Sequence, residues 1–204
     1  MRPIQTRETL RVFKTRRVFG LALLPALFVS LAACAPAPQL QGTDLEKTPA
    51  PDFQLADATG KPFRLSEQRG RVVVLTFLYT NCPDECPLIA ERFRAASEQL
   101  GADAANVRWV AVSLDPVGDT PATVAQFLKA HRVEGTLTYL IGAREQLAPV
   151  WKAYFLTVMP GASPGVITHQ SRVIVIDRDG LQRSNFRADL AADALVNDIR
   201  IALK

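Results

Sequence analysis

The segment Cys82-Pro-Asp-Glu-Cys86-Pro87 sets two thiols four positions apart, in a chain with three cysteines in all. Three chemistries suit such a pair: a structural disulfide, a redox couple and a soft-metal site. A disulfide here would close a very short loop and remove little entropy from the unfolded chain, so a purely structural bridge is the weakest reading. The other two both need thiolate, the form that attacks disulfides and binds metals. A third ligand separates them, and the chain has two histidines. His131 ends a helix-like stretch beside Arg132 and reads as a charge partner for the helix C-terminus. His169 follows the loop Met159-Pro-Gly-Ala-Ser-Pro-Gly-Val-Ile-Thr168 and enters a late strand, Ser171 to Ile176. Two thiolates and one imidazole form a soft set that suits copper(I), or copper(II) with an added oxygen ligand. Structural zinc would want a fourth protein ligand. Redox exchange between Cys82 and Cys86 needs no histidine and stays open.

These residues have to be positioned by the elements around them. Phe53–Leu55 and Phe63–Leu65 flank Asp57-Ala-Thr-Gly60 and read as an N-terminal hairpin. Arg71 to Tyr79 is a β-branched, nearly continuous apolar run that suits a strand covered on both faces. A helix follows with Leu88, Ile89, Phe93, Ala96 and Leu100 on one face. Strands are expected at Val107–Leu114 and Thr138–Ile141. Helices are expected at Pro121–His131, with Thr120 as N-cap and Pro121 at N1, and at Arg144–Tyr154. Val166–Ile176 and Leu181–Phe186 read as strands across the turn Asp177-Arg-Asp-Gly180, and Ala188–Leu203 as a closing helix. Alternating strands and helices ending in a hairpin define an α/β, thioredoxin-like fold, a mixed central sheet flanked by helices. In such folds chemistry collects where a strand's C-terminal end meets a helix N-terminus. Cys82 and Cys86 lie at that junction. Pro87 at N1 would spare the helix a lost hydrogen bond, with Cys86 near the N-cap and Cys82 on the loop before it. The helix dipole then favours thiolate, while Asp84 and Glu85 oppose it by repulsion.

The 204 residues carry a formal net charge of +4, spread unevenly. Residues 1–33 hold six basic side chains and one acid, leaving 18 of the 24 basic and 19 of the 20 acidic residues beyond them. The remainder is therefore near neutral, and a nucleic-acid partner is not indicated. The basic start, the apolar run Val18–Ala33 and the small residues after it read as a signal peptide over 1–33. Leu31-Ala32-Ala33-Cys34 resembles the bacterial lipobox, which makes Cys34 the expected lipidation site. Export runs through the Sec or the twin-arginine route, the latter because Thr15-Arg16-Arg17-Val18-Phe19 resembles its signal. Residues 34–50, rich in Pro, Gln, Ala and Thr, are expected to be a flexible tether, and 51–204 one domain. Cys82 and Cys86 would then work outside the cytoplasm, where a disulfide persists.

Gly70-Arg-Val-Val-Val-Leu-Thr-Phe-Leu-Tyr-Thr-Asn-Cys82-Pro-Asp-Glu-Cys86-Pro resembles the Sco/SenC family motif. Val112-Ser-Leu-Asp115-Pro-Val-Gly-Asp119-Thr-Pro121 resembles that family's acidic loop, and His169-Gln-Ser-Arg-Val-Ile-Val-Ile-Asp177-Arg-Asp-Gly its histidine strand. The resemblance covers most of 51–204. It implies a membrane-tethered thioredoxin-like protein that assembles the copper centre of cytochrome c oxidase and is not an enzyme in the turnover sense. It implies Cys82, Cys86 and His169 as copper ligands, with Asp115 and Asp119 acting on the site or on partner contact. The implied partners are the copper-accepting subunit of a terminal oxidase, another copper chaperone, and the membrane through the lipid. A thiol–disulfide oxidoreductase that keeps the acceptor's cysteines reduced is the alternative. Glu85 stands where the family more often has an apolar residue, and its charge is expected to loosen copper binding or change partner choice.

Overall fold

The computed structural model describes residues 38–161 and 166–204. Its centre is strand β4 (Val72–Leu78), every residue of which is buried. That burial answers to the sequence, since Val-Val-Val-Leu-Thr-Phe-Leu can be covered on both faces without stranding a charge. The one polar member, Thr76, is satisfied by donating its hydroxyl to the Arg172 carbonyl at 2.8 Å. Strands β5 (Val107–Ser113) and β6 (Leu137–Ile141) extend the sheet in parallel on one side of β4. On the other side β9 (Val173–Ile176) and β10 (Leu181–Phe186) run antiparallel.

The expected hairpin is present as β2 (Gln54–Asp57) and β3 (Pro62–Arg64), and it pairs through β2 with β6. At the opposite edge β1 (Thr43–Pro49) pairs antiparallel with β10, which completes an eight-stranded mixed sheet of order β1-β10-β9-β4-β5-β6-β2-β3. The fold class expected from the pattern of elements is the one found.

Helix α1 (Glu85–Leu100) connects β4 to β5, and α2 (Pro121–Ala130) connects β5 to β6. Thr120 caps α2 by accepting from Thr123 N at 3.2 Å, with Pro121 at N1 as the sequence predicts. Helix α3 (Arg144–Ala153) follows β6, and α4 (Ala192–Ala202) packs on α1. Side chains alternate across the sheet, so Val74 and Trp109 share one face, and Phe77 and Val112 the other. Phe93 of α1 meets the Trp109 ring at 4.9 Å, while Tyr154, just past α3, meets Phe77 at 5.6 Å. Helices α1 and α3 therefore cover opposite faces.

Three expectations need correction. The sheet begins inside the expected tether, at Thr43. Only Leu45 of β1 is packed against the core, and Glu46 and Lys47 have positive φ at a bulge, so this edge strand carries no alternating apolar signal. Val166–Ile176 is not one strand but β8 (Ile167–Thr168) and β9, separated by 169–172. Strand β8 pairs with β7 (Met159–Pro160) as a separate two-stranded ribbon. The closing helix starts at Ala192, because Ala188 and Leu190 are buried in an irregular segment before it. The leader, the lipobox and Cys34 lie outside the described residues. Among the described residues no helix is long and apolar enough to cross a membrane.

Candidate metal centre

Strand β4 delivers the chain to Tyr79, and a turn follows in which Cys82 N donates to Tyr79 O at 3.3 Å. Helix α1 begins with Glu85 at N1, two residues earlier than the proline argument predicts, so Pro87 falls at N3. This costs no hydrogen bond. The first four amides of a helix have no intrahelical acceptor, and the carbonyl four back belongs to Pro83, outside the helix. The N-cap residue, Asp84, makes no side-chain capping bond. Instead Cys86 N donates to Cys82 Sγ at 3.4 Å, so a sulfur occupies the capping position at the helix's positive end.

The two thiols are thereby made unequal. Cys82 is half-buried, while Cys86 has no exposed surface. The Cys86 thiol donates to Cys82, and this, with the Asp84 and Cys86 amides and the Tyr79 hydroxyl, lowers the Cys82 pKa to about 5 despite partial burial. Cys86 moves the opposite way. Its proton is held by the hydrogen bond to the Cys82 sulfur, and burial and the neighbouring charges of Cys82 and Asp119 add to the effect. At neutral pH the pair is one thiolate and one thiol sharing a proton contact.

Iodoacetamide labelling of the reduced, metal-free protein tests this. Modification of Cys82 should rise with pH around 5 and then stay level from pH 7 to 9, with Cys86 unlabelled until the protein unfolds. A midpoint near the ordinary thiol value, about 8.5, would contradict the asymmetry.

His169 lies in the break between β8 and β9, not inside a strand as expected. Its ring meets Tyr79 edge-on at 6.0 Å. The Tyr79 hydroxyl accepts from Ile167 N at 3.3 Å and is also a hydrogen-bond partner of Cys82, so one phenol touches both the histidine segment and the thiolate. His169 Nδ1 is shielded from solvent and has no hydrogen-bond partner. A shielded, unpaired ring nitrogen next to the tyrosine that meets the Cys82 thiolate is what a metal-ligating histidine presents. The donor set therefore fits copper chemically. The geometry is not yet gathered, however. Among the described residues no three His, Cys, Asp or Glu side chains stand close enough together to hold an ion. Cys82 and Cys86 are together, and His169 is a neighbour.

The acidic residues divide by role. Asp119 is buried, and its carboxylate accepts from Thr80 N at 2.8 Å, Ser113 Oγ at 2.7 Å and Tyr139 Oη at 2.9 Å. It ties the loop before Cys82 to the end of β5 and the middle of β6, and burial pushes its pKa up against those three donors. Asp115 folds the adjoining turn, accepting from Val117 N at 3.1 Å and Gly118 N at 2.8 Å. A Cβ at position 118 would collide with the Asp115 carboxylate, hence the glycine. Glu85 points toward the histidine segment, where its carboxylate accepts from Ser171 Oγ. Together with His169, Arg172 and Arg187 it lines a cavity of about 340 Å³. His131 is elsewhere, 3.9 Å from Glu91 and with its ring tilted against Phe127 at 4.5 Å. Met159 is exposed on the ribbon.

Sequence reasoning overlooked Tyr79 and Ser171. Tyr79 reads as the last apolar residue of a buried strand, and Ser171 as an unremarkable polar position. Neither carries a signal apart from its place in the fold.

A mixed α/β sheet with a thiolate at the first helix's N-terminus, and a histidine across one tyrosine from it, defines a thioredoxin-like thiol or soft-metal protein. The SCO1/SenC family matches residues 41–204, and the chain belongs to that family. A putative copper-binding protein of Stutzerimonas stutzeri is 30% identical over 149 residues, covering 71% of this chain and 72% of that one. Among solved structures, apo Sco1 from Thermus thermophilus superposes with a TM-score of 0.70 at 27% identity, over 82% of this chain and 99% of that one. Copper-bound ScoI from Bradyrhizobium japonicum gives 0.63 at 29% identity, over 76% of this chain and the whole of that one.

Proposed function

We propose that this protein is a copper chaperone of the bacterial cell envelope. It holds copper through Cys82, Cys86 and His169 and delivers it to the copper-accepting subunit of a terminal oxidase of the cytochrome c oxidase type. The observation that carries the reading is the conjunction at Tyr79: a Cys82 thiolate with a pKa of about 5, a buried companion thiol, and an imidazole whose Nδ1 has no partner. Copper supplies the bond energy that gathers these three donors, and the low Cys82 pKa keeps one of them deprotonated at neutral pH without competition from protons. The Stutzerimonas relative, named for copper binding, and the copper-bound Bradyrhizobium structure support the same metal.

Lipidation at Cys34 would hold the domain on the periplasmic side of a membrane and raise its effective concentration near a membrane-embedded acceptor. Exposed Leu88, at the first turn of α1, and Val117, in the turn after β5, both lie at the cysteine end of the sheet. They give an acceptor or a second copper chaperone apolar surface to bind.

Thiol–disulfide exchange is the second reading, and the inequality of the thiols favours it. Cys82 is accessible and ionised like an attacking thiol, and Cys86 is buried and protonated like a resolving one. The two activities are compatible, because a disulfide sulfur is a poor ligand and copper loading needs both thiols reduced.

Copper(I) titration against a chromophoric chelator tests the proposal. The reduced protein is expected to take one copper per chain, and the Cys82–Cys86 disulfide form none until a reductant is added. Reduced protein that competes for no copper would leave disulfide exchange as the function.

A further inference from the structure

Glu85 was expected to act as a like charge beside the thiols, but its contacts assign it mechanical work. The segment carrying His169 is fastened at several points. Thr76 Oγ1 donates to Arg172 O at 2.8 Å, Thr157 N to Gln170 Oε1 at 3.1 Å, and Ile167 N to Tyr79 Oη at 3.3 Å. These hold it to β4, to the residue just beyond it and to the chain following α3. Just one hydrogen bond among the described residues joins it to α1, the donation from Ser171 Oγ to the Glu85 carboxylate.

The placement of that bond matters. Glu85 is the N1 residue of α1 and precedes Cys86, while Ser171 lies two residues beyond His169. Both partners are half-buried, and both line the cavity that His169 also lines. We propose that Glu85 is a positioning residue: through Ser171 it holds the His169 segment on the cysteine helix and so sets how far the imidazole must travel to join the two sulfurs. The inference rests on the copper reading. Without this tie the segment 166–172 keeps its bonds to β4, Tyr79 and the chain following α3 but none to α1, and gathering the ligands must order it against the cysteine helix at the moment of binding. That ordering is subtracted from copper affinity.

The positioning role and the like-charge role predict opposite results. As a positioning residue, Glu85→Val and Ser171→Ala should each weaken copper(I) binding about tenfold, the scale of one charge-assisted hydrogen bond. The double variant should be no weaker than either single one, since both substitutions delete the same bond. Glu85→Gln keeps an acceptor oxygen for Ser171 and should bind copper within about threefold of wild type, a rescue that neutral hydrogen-bond geometry allows. As a like charge alone, Glu85→Val and Glu85→Gln would both tighten binding, and Ser171→Ala would change nothing. That pattern overturns the proposal.

A second measurement needs no copper. Amide hydrogen exchange across 166–172 in the reduced, metal-free protein should quicken in Ser171→Ala and Glu85→Val and stay slow in Glu85→Gln. Unchanged exchange in all three variants overturns the tie even if affinities shift. A wild-type protein that takes up no copper removes the proposed function instead, and exchange still decides whether Glu85 holds the segment.

Discussion

If copper is held as proposed, His169→Ala, Cys82→Ser and Cys86→Ser should each reduce copper(I) affinity by more than the roughly 10–100-fold that loss of an outer-sphere partner costs, because each would remove a bond to the metal itself. His131→Ala should leave affinity unchanged, since its ring is engaged with Phe127 and Glu91. The three substitutions should also be distinguishable by their side effects. Cys86→Ser places a hydroxyl in a fully buried site that hydrogen-bonds Cys82, so the Cys82 thiolate loses its main stabilising donor only in part. Cys82→Ser removes the sulfur that caps α1, although serine is itself a good capping residue, so the fold should survive. His169→Ala relieves a buried unpaired nitrogen and should, if anything, raise the stability of the metal-free protein slightly. Chelator competition for affinity, with thermal melts of the metal-free forms, reads both halves. Retention of wild-type copper affinity by His169→Ala would remove the histidine from the ligand set and bring thiol–disulfide exchange to the front.

Asp119→Ala should be the most destabilising single change near the site. It strands three donors in a dry environment: the Thr80 amide, the Ser113 hydroxyl and the Tyr139 phenol. A buried donor without an acceptor costs about 1–3 kcal/mol. Ser113 Oγ still accepts from Asp115 N at 3.1 Å, which fixes its position but leaves its O–H without an acceptor. A total of about 3 kcal/mol corresponds to a fall in Tm of roughly 6–12 °C for a domain of this size. Because Thr80 leads into the cysteine turn, the same variant should also broaden the pH profile of Cys82 labelling as the loop loosens. A melting temperature within about 2 °C of wild type would show that water replaces the carboxylate and that Asp119 is not structural.

Glu85 and Asp119 mark the boundary of what could be read along the chain. The strand at 72–78, the amphipathic helix after it and the Thr120-Pro121 start of α2 all follow from local rules, because apolar period and capping chemistry act between residues a few positions apart. The α/β class follows from their order. The cysteine pair was legible for the same reason, since a spacing of four at a strand–helix junction places both sulfurs by local geometry alone.

What the sequence by itself determined was therefore the candidate donors and the element that presents two of them. Only the tertiary structure decided what surrounds those donors. Tyr79 and His169 are 90 positions apart, Glu85 and Ser171 are 86, and Thr80 and Asp119 are 39; each meets its partner because β9 pairs beside β4 and β5 ends next to it. A buried hydrogen bond has no periodicity and leaves no pattern in the chain, since its energy depends on two groups being desolvated together. The same reason hid β1. Apart from Leu45 and Pro49 its residues are polar, all but Leu45 are exposed, and what makes Thr43–Pro49 a strand is the free edge of β10.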